Sequence, residues 1–163
     1  MVCKKKKRFL RNIGKLKIHN IPKISIMEKN IGQIIELPKI TDPRGNLTVA
    51  EQMRHIPFNI ARVYWTYDVP AGEWRGGHAH RSCQEVIIAV SGSFDVVLDN
   101  GKEKKTYRLN HPYQGLHIDT CVWRTLEDFS SGAVCLVLAS EPFDEKEYIY
   151  DYDEFIQEAT CLK

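Results

Sequence analysis

The sequence predicts an all-β protein, a jelly roll or small barrel built from two sheets, with a short helix at its C-terminal end. From about Ile34 onward, short stretches rich in β-branched and aromatic residues alternate with turn signals. A helical period of apolar residues occurs only near the C-terminal end. The length of 163 residues is that of one domain with one principal core.

Successive stretches of the chain carry the strand pattern, and turn residues separate them. Pro, Gly, Asp and Asn dominate the intervening sequences, as expected of tight turns. The strongest turn signal is Asn100-Gly101, which lies between two alternating runs and predicts a hairpin. In chain order, the predicted strands are residues 34–40, 46–52, 61–69, 78–90, 92–99, 104–110, 115–119, 121–129 and 133–140.

The tail, residues 144–159, is the one predicted helix. Its apolar residues recur at steps of three and four positions, so they would share one helix face. Those residues are Tyr148, Ile149, Tyr152, Phe155 and Ile156. We expect this face to pack on the barrel.

Charge divides the chain into two regions near Gln33. Residues 1–33 contain ten Lys and Arg against one Glu, whereas the rest contains thirteen against twenty acidic residues. A basic run of this kind can bind nucleic acid or an acidic membrane, but it is also typical of a solvated extension. We predict a poorly ordered basic extension over residues 1–33, a domain over residues 34–163, and no nucleic-acid or membrane partner. Met27 opens a segment that could itself serve as an N terminus.

The sequence shows no membrane or export signal. No stretch reaches the roughly 18 apolar residues of a spanning helix, and the basic head lacks the apolar region of a signal peptide. The five cysteines are odd in number and none are spaced as CxxC. Reduced thiols are therefore expected, and with them a cytoplasmic location.

Two histidines with one residue between them, His78 and His80, are the strongest candidates for chemistry. On a strand, residues i and i+2 point to the same face, so only Ala79 turns away. Two adjacent imidazoles on the inner face of a barrel need water, a ligand or a metal, because burying unpaired polar groups costs free energy. The pair therefore predicts a functional site inside the fold.

The segment around this pair resembles the first cupin motif, G-x5-H-x-H-x4-E-x6-G. Its marked positions are Gly72, His78, His80, Glu85 and Gly92. In metal-binding cupins a second motif adds another histidine, and here that motif should fall within residues 115–126. Trp123 and Arg124 stand where the late histidine is expected. His117 could substitute for that histidine, but a position at the rim, facing solvent or substrate, suits it better. The resemblance implies a single cupin domain with an incomplete three-histidine metal site.

A narrower resemblance covers most of the chain after Ile34. Residues 42–51, 56–81, 91–118, 122–149 and 151–155 look like the nucleotide-sugar 3,4-ketoisomerases, the WxcM-like cupin enzymes that act on dTDP-4-keto-6-deoxyglucose. This resemblance implies an isomerase without metal or other cofactor, a homodimer, and a dTDP-linked 4-keto-6-deoxy sugar as partner. The 3-keto product would supply an aminotransferase in deoxyamino-sugar biosynthesis.

The histidine pair suits that reaction. Moving a ketone from C4 to C3 requires removal of a proton from C3, transfer between the two oxygens through an enediol, and return of a proton to C4. Histidine titrates near neutral pH and can serve as base and as acid. The resemblance assigns His78 to transfer at carbon and His80 to transfer at oxygen, and the two roles could be exchanged. The gluco or galacto outcome at C4 stays open.

Four further residues are candidates for substrate binding. Arg75 and Arg44 stand beside glycines, and their guanidinium groups suit the oxygens of a diphosphate. Tyr64 alternates on the strand before the histidines and could offer its phenol to the sugar. Gln84 occupies the place where the ketoisomerases are expected to carry a glutamine.

Glu85 keeps two alternatives open. With His78 and His80 it resembles a facial metal triad, which would make the protein a metal-dependent cupin such as a dioxygenase. Its carboxylate could instead raise the pKa of a neighbouring histidine and improve it as an acid. A further alternative is a sugar-nucleotide-binding cupin without catalysis.

Overall fold

The computed structural model describes residues 31–161, which form twelve strands and one α-helix. The strands are β1 (Gln33–Glu36), β2 (Lys39–Asp42), β3 (Gly45–Thr48), β4 (Arg62–Thr66), β5 (Arg75–His80), β6 (Glu85–Ser91), β7 (Phe94–Asp99), β8 (Lys104–Leu109), β9 (Gln114–Ile118), β10 (Trp123–Glu127), β11 (Val134–Ala139) and β12 (Tyr148–Ile149). A 3-10 turn (Glu145–Glu147) precedes β12, and α1 spans Tyr152–Cys161. The predicted all-β class with a C-terminal helix is confirmed. The basic extension predicted over residues 1–33 lies outside the described residues except for its last three positions.

Two antiparallel five-stranded sheets form the domain. The first sheet has the order β1-β9-β6-β11-β4, and the second has the order β12-β5-β10-β7-β8. Strands β2 and β3 form a separate two-stranded hairpin. Among the described residues no ladder joins the two large sheets, so the predicted barrel is an open sandwich with β4 at one edge and β12 at another.

One apolar core fills the space between the large sheets. On β7, Phe94, Val96 and Leu98 alternate inward and are fully buried, as the period of two predicts. Leu116 and Ile118 on β9 meet them from the first sheet. Burying a side chain of this size contributes about 1.5–3 kcal/mol, so this core carries much of the stability.

Strand β6 is buried on both faces. Ile87 belongs to the core between the sheets, whereas Val86 and Ile88 face outward and are covered by Ile56 and Phe58. A strand covered on both sides needs apolar residues at successive positions, which explains the continuous run at the centre of β6.

The predicted strand over residues 78–90 is wrong, because two strands occupy this segment. Strand β5 belongs to the second sheet and β6 to the first, so the chain crosses between the sheets after His80. At the crossing the Arg81 amide donates to the Glu147 carbonyl and the Arg81 guanidinium to the carbonyls of Lys146 and Tyr148. Apolar patterning does not reveal such a change of sheet.

The predicted strand over residues 34–40 is also divided. Leu37 and Pro38 separate β1, which pairs with β9 of the same chain, from the β2–β3 hairpin. Proline has no amide hydrogen to donate to a ladder, so the strand ends there.

The helix predicted over residues 144–159 begins later than expected. Tyr148 and Ile149 form β12, whose backbone pairs with the free edge of β5. The Asp151 carboxylate accepts from the Glu154 amide at 2.8 Å and caps α1, so the helix starts at Tyr152. Phe155 then packs with Ile149 against Ala79. None of the helices that the structure describes has the length and apolar content needed to cross a bilayer.

Candidate active site

His78 and His80 lie side by side on the inner face of β5, as their spacing predicts. Their ring centroids are 5.0 Å apart and nearly perpendicular. His80 is fully buried and His78 is partly buried. Ala79 points the other way and is covered by Ile149 and Phe155. The second sheet therefore presents both imidazoles to the space between the sheets.

Gly76 lets β5 approach β10 closely. Gly76 and Gly77 have φ of +86° and +73°, a conformation that glycine adopts without strain. A Cβ atom at Gly76 would lie 2.8 Å from the Arg124 carbonyl oxygen, and the ladder register shifts between Arg124 and Thr125. This close approach places Arg124 directly opposite His78.

Glu85 connects the two sheets beneath the histidines. The Tyr64 hydroxyl donates to Glu85 Oε1 at 2.6 Å, and His80 Nε2 lies 3.4 Å from the same oxygen. Arg124 Nε lies 3.6 Å from Glu85 Oε2. Burial alone would raise the pKa of Glu85, but the Arg124 charge and the contacts of His80 and Tyr64 outweigh it and lower that pKa to about 2. Glu85 is therefore ionised at neutral pH.

Both histidines are neutral at pH 7. Burial, the Arg124 charge and the neighbouring His80 lower the pKa of His78 to about 4. Burial also lowers the pKa of His80, although the neighbouring Glu85 carboxylate opposes this shift. Within the described part of the chain, Nε2 of His78 and both ring nitrogens of His80 are buried without a hydrogen-bond partner. A neutral imidazole with a free nitrogen can accept a proton.

Arg124 is a site residue that sequence reasoning passed over. Its side chain is 1% exposed, and none of its three nitrogens forms a hydrogen bond within residues 31–159. Burying a guanidinium costs free energy unless its charge is paired. Glu85 compensates the charge of Arg124 but does not form a hydrogen bond with it. Free donors remain for an oxygen of a ligand. The only sequence signal was the position of Arg124 where a cupin would carry its late histidine.

An aromatic wall borders the histidines on the side of β12. The Tyr148 ring centroid lies 4.3 Å from that of His80 and 5.0 Å from that of His78. Tyr150 stacks on Tyr148 at 5.4 Å. Arg62 Nη2 donates to the Tyr148 hydroxyl at 3.2 Å. Sequence reasoning missed Tyr148 as a site residue because it assigned the tyrosine to a helix.

Comparison with known proteins assigns the family. Residues 30–160 match the family described as FdtA: WxcM-like, C-terminal. This chain belongs to that family.

Three proteins similar to this WxcM-like chain have names that state a reaction. The TDP-4-oxo-6-deoxy-alpha-D-glucose-3,4-oxoisomerase of Aneurinibacillus thermoaerophilus is 42% identical over 123 residues, which are 76% of this chain and 88% of that one. The sugar 3,4-ketoisomerase QdtA of Thermoanaerobacterium thermosaccharolyticum, solved with TDP, is 40% identical with a TM-score of 0.80, covering 82% and 98% of the two chains. The TDP-quinovose 3,4-ketoisomerase WlaRB of Campylobacter jejuni is 42% identical with a TM-score of 0.76, covering 80% and 99%.

Of the four predicted substrate-binding residues, the WxcM-like fold brings Tyr64 into the histidine cluster. Arg75 begins β5, is exposed, and donates to the Trp74 carbonyl at 3.0 Å. Arg44 lies in the exposed turn between β2 and β3 and forms an ion pair with Asp42 at 2.5 Å.

Gln84 turns away from the histidines. Its side-chain oxygen lies 2.9 Å from His117 Nε2, and His117 contacts Phe58 on the outer face of the first sheet. His117 therefore does not reach the rim of the site, where we expected it. Gln84 and the two arginines stay predictions as substrate contacts.

The facial metal triad does not form in this geometry. The Glu85 oxygens are directed to Tyr64, His80 and Arg124, and a cation bound beside them would meet the Arg124 guanidinium. No group of three His, Cys, Asp or Glu side chains within residues 31–159 is arranged to hold a metal ion. Neutral imidazoles can exchange protons, and a guanidinium can donate hydrogen bonds to oxygen atoms.

Proposed function

We propose that this protein is a sugar 3,4-ketoisomerase that converts TDP-4-keto-6-deoxyglucose to the 3-keto isomer. The observation that carries the proposal is the neutral pair His78 and His80 beside a buried guanidinium with free donors, in a chain 40–42% identical to named TDP-sugar ketoisomerases. The reaction needs a base at carbon, a group that moves a proton between oxygens, and a donor to the enediolate.

His78 is the better placed of the two for carbon chemistry. Its side chain is partly exposed and its Nε2 has no hydrogen-bond partner among the described residues, whereas His80 is fully buried, so a sugar would reach the His78 ring first. In the proposed first step His78 takes the proton from C3, and the C4 oxygen becomes the enediolate oxygen. After a proton moves from the C3 oxygen to the C4 oxygen, His78 returns its proton to C4 and the C3 carbonyl forms.

We assign His80 to the transfer of the proton between oxygens. When it takes a proton, its imidazolium lies 3.4 Å from ionised Glu85 Oε1, and the carboxylate stabilises the positive charge. Arg124 supplies guanidinium donors to the enediolate. A preorganised donor in a buried site acts at the oxygen where charge develops, and one such donor is worth about 10²–10³ in rate.

The diphosphate would be bound by arginines outside this cluster. Arg75 begins the histidine strand and is exposed, so its guanidinium is accessible to an anion. Arg44 stands at the tip of the hairpin, where its exposed guanidinium pairs with Asp42. We propose both as diphosphate contacts because a planar guanidinium fork suits phosphate oxygens.

A homodimer is part of the proposal. The β2–β3 hairpin is exposed on both faces, including the cross-strand pair Ile40 and Leu47, and a two-stranded hairpin alone is marginally stable. Val63 and Trp65 also point outward from the edge strand β4 and are 49% and 59% exposed. Exposed apolar surface of this kind fits a second copy of the chain.

The cytoplasmic location predicted from the sequence belongs to the same proposal. Cys83 and Cys135 are buried free thiols, the state expected in a reducing compartment.

The deciding experiment is incubation with TDP-4-keto-6-deoxyglucose in deuterated water, followed by NMR. A ketoisomerase forms the 3-keto sugar with deuterium at C4, because the proton returned to that carbon exchanges with solvent. The configuration at C4 reports the gluco or galacto outcome. Binding of the sugar nucleotide without conversion would overturn the proposal and indicate a non-catalytic binding protein.

A further inference from the structure

We propose that Tyr148 is a further catalytic residue, whose hydroxyl donates a hydrogen bond to the sugar oxygens at C3 and C4, and that Arg62 positions it. This inference rests on the proposed ketoisomerase function and adds a donor on the opposite side of the histidines from Arg124. It concerns a hydrogen bond only, and Tyr148 keeps its proton throughout.

Tyr148 lies beside the reacting groups. On β12 it pairs directly with His80 of β5, so its position follows that of the histidine strand. Its ring contacts both imidazoles, with centroid distances of 4.3 Å and 5.0 Å. A sugar that has its C3 near His78 would therefore lie beside the Tyr148 ring.

The direction of the Arg62 hydrogen bond leaves the phenol proton free. A guanidinium can only donate, so the Tyr148 oxygen must accept from Arg62 Nη2 at 3.2 Å. The Tyr148 O–H hydrogen then points elsewhere, and no hydrogen bond donated by this hydroxyl is found among the described residues. An enediolate oxygen could accept a hydrogen bond from this O–H group.

Arg62 is held in place by aromatic rings. Its guanidinium carbon lies 5.0 Å from the Tyr64 ring centroid and 5.6 Å from that of Phe143. Arg62 and Tyr64 share the inward face of β4, since Val63 between them is exposed. The Arg62–Tyr148 hydrogen bond thus spans the open gap between β4, the edge of the first sheet, and β12, the edge of the second.

The first test is the turnover of Tyr148→Phe with TDP-4-keto-6-deoxyglucose. Because one donor to a developing oxyanion is worth about 10²–10³ in rate, we expect kcat to fall by that order. Binding of TDP, which lacks the hexose, should change less than about twofold. The matched control is Tyr152→Phe, which removes a hydroxyl bonded to Asp99 at 2.6 Å on α1 and should leave kcat unchanged.

The second test is a double-mutant cycle with Arg62→Gln. If Arg62 acts by positioning Tyr148, the single substitution should lower kcat about tenfold, and adding it to Tyr148→Phe should cost less than about twofold more. Arg62→Lys should recover part of the loss, because lysine also donates. Arg108→Gln, at an exposed ion pair with Asp95, is the control for loss of an arginine.

The outcomes separate this inference from the proposed function. Normal kcat in Tyr148→Phe, or loss of TDP binding in that variant, would overturn the role of the hydroxyl. The ketoisomerase assignment would still stand, because the unaltered protein would be active. An undiminished effect of Arg62→Gln in the Tyr148→Phe background would overturn the positioning role. An unaltered protein and a Tyr152→Phe control that both lack turnover would instead refute the ketoisomerase function itself.

Discussion

Glu85 and Arg124 form a buried ion pair that joins the two sheets: Glu85 begins β6 of the first sheet, Arg124 lies on β10 of the second, and Oε2 and Nε are 3.6 Å apart. Each side chain is almost fully buried. The two charges balance each other between the sheets: the Arg124 charge lowers the pKa values of Glu85 and of both histidines, whereas the Glu85 carboxylate opposes the shift at the histidines. The pair therefore links the two sheets and fixes the charges beside the histidines.

Neutralising one partner should destabilise the protein strongly. Glu85→Gln leaves the Arg124 charge buried without compensation, so we expect the free energy of unfolding to fall by about 3–5 kcal/mol. Urea denaturation at pH 7 measures the change. Arg54→Gln, in the exposed pair with Glu51, is the control and should leave the midpoint unchanged. Equal midpoints for Glu85→Gln and the unaltered protein would contradict the energetic role of the pair.

Stability should fall as the pH is lowered from about 6.5 towards 4. The folded protein holds the pKa of His78 at about 4, below its ordinary value of 6.5, so the unfolded chain binds the proton first. The stabilisation is complete above pH 6.5 and is lost through this window, amounting to at most about 3 kcal/mol for His78. His80 adds to the trend, because its pKa is lowered as well.

Denaturation curves at pH 7, 6 and 5 test this dependence. His78→Asn should show a shallower decline than the unaltered protein, since its side chain does not titrate. Glu85 contributes only at lower pH, between 4.5 and about 2, where its stabilisation is lost as the carboxylate is protonated. Identical slopes in the two proteins over pH 5–7 would show that His78 titrates normally.

Substitution of His78 and of His80 should affect catalysis in different ways. His78→Asn removes the base at carbon, so both conversion and incorporation of solvent deuterium at C4 should fall by at least about 10²-fold. His80→Asn should also slow conversion, but it should still exchange the C3 hydrogen of the unreacted substrate with deuterium, because His78 remains. NMR of substrate and product distinguishes the two variants. The reverse pattern would exchange the roles of the histidines.

Activity should survive treatment with a chelator. The site supplies His78, His80 and Arg124 for proton transfer and oxygen binding, and no metal takes part in the proposed steps. Turnover after dialysis against EDTA should equal that of untreated protein, and added Fe²⁺ or Zn²⁺ should not raise it. Loss of activity with EDTA that returns with one metal would support the metal-dependent cupin that the sequence left open.

The exposed apolar surfaces should be buried in a dimer. Size-exclusion chromatography with light scattering should give twice the mass of one chain. Trp65 and Leu47 are 59% and 56% exposed in one protomer, and replacing both by serine removes apolar surface from the proposed interface. The dimer of the double variant should therefore dissociate at a higher protein concentration than that of the unaltered protein. The matched control is Met53→Ser, also exposed but outside the hairpin and β4. A monomer at high concentration of the unaltered protein would rule out the dimer.

The sequence by itself determined the fold class, the family and the shared face of His78 and His80. These features are local: a strand alternates its side chains with a period of two, and the spacing of Gly72, His78, His80, Glu85 and Gly92 can be read along one segment. Tyr64 was also found this way, because it alternates inward on the strand preceding the histidines. Local geometry is therefore enough to find the residues that one strand brings together.

Only the tertiary structure decided which other residues complete the site. Arg124 stands opposite His78 through the pairing of β10 with β5, and Tyr148 stands opposite His80 through the pairing of β12 with β5. Glu85 reaches Arg124 because the chain crosses from one sheet to the other after His80. Burial, charge pairing and the resulting pKa shifts depend on which distant strands become neighbours, and this pairing has no signature in any single stretch of sequence.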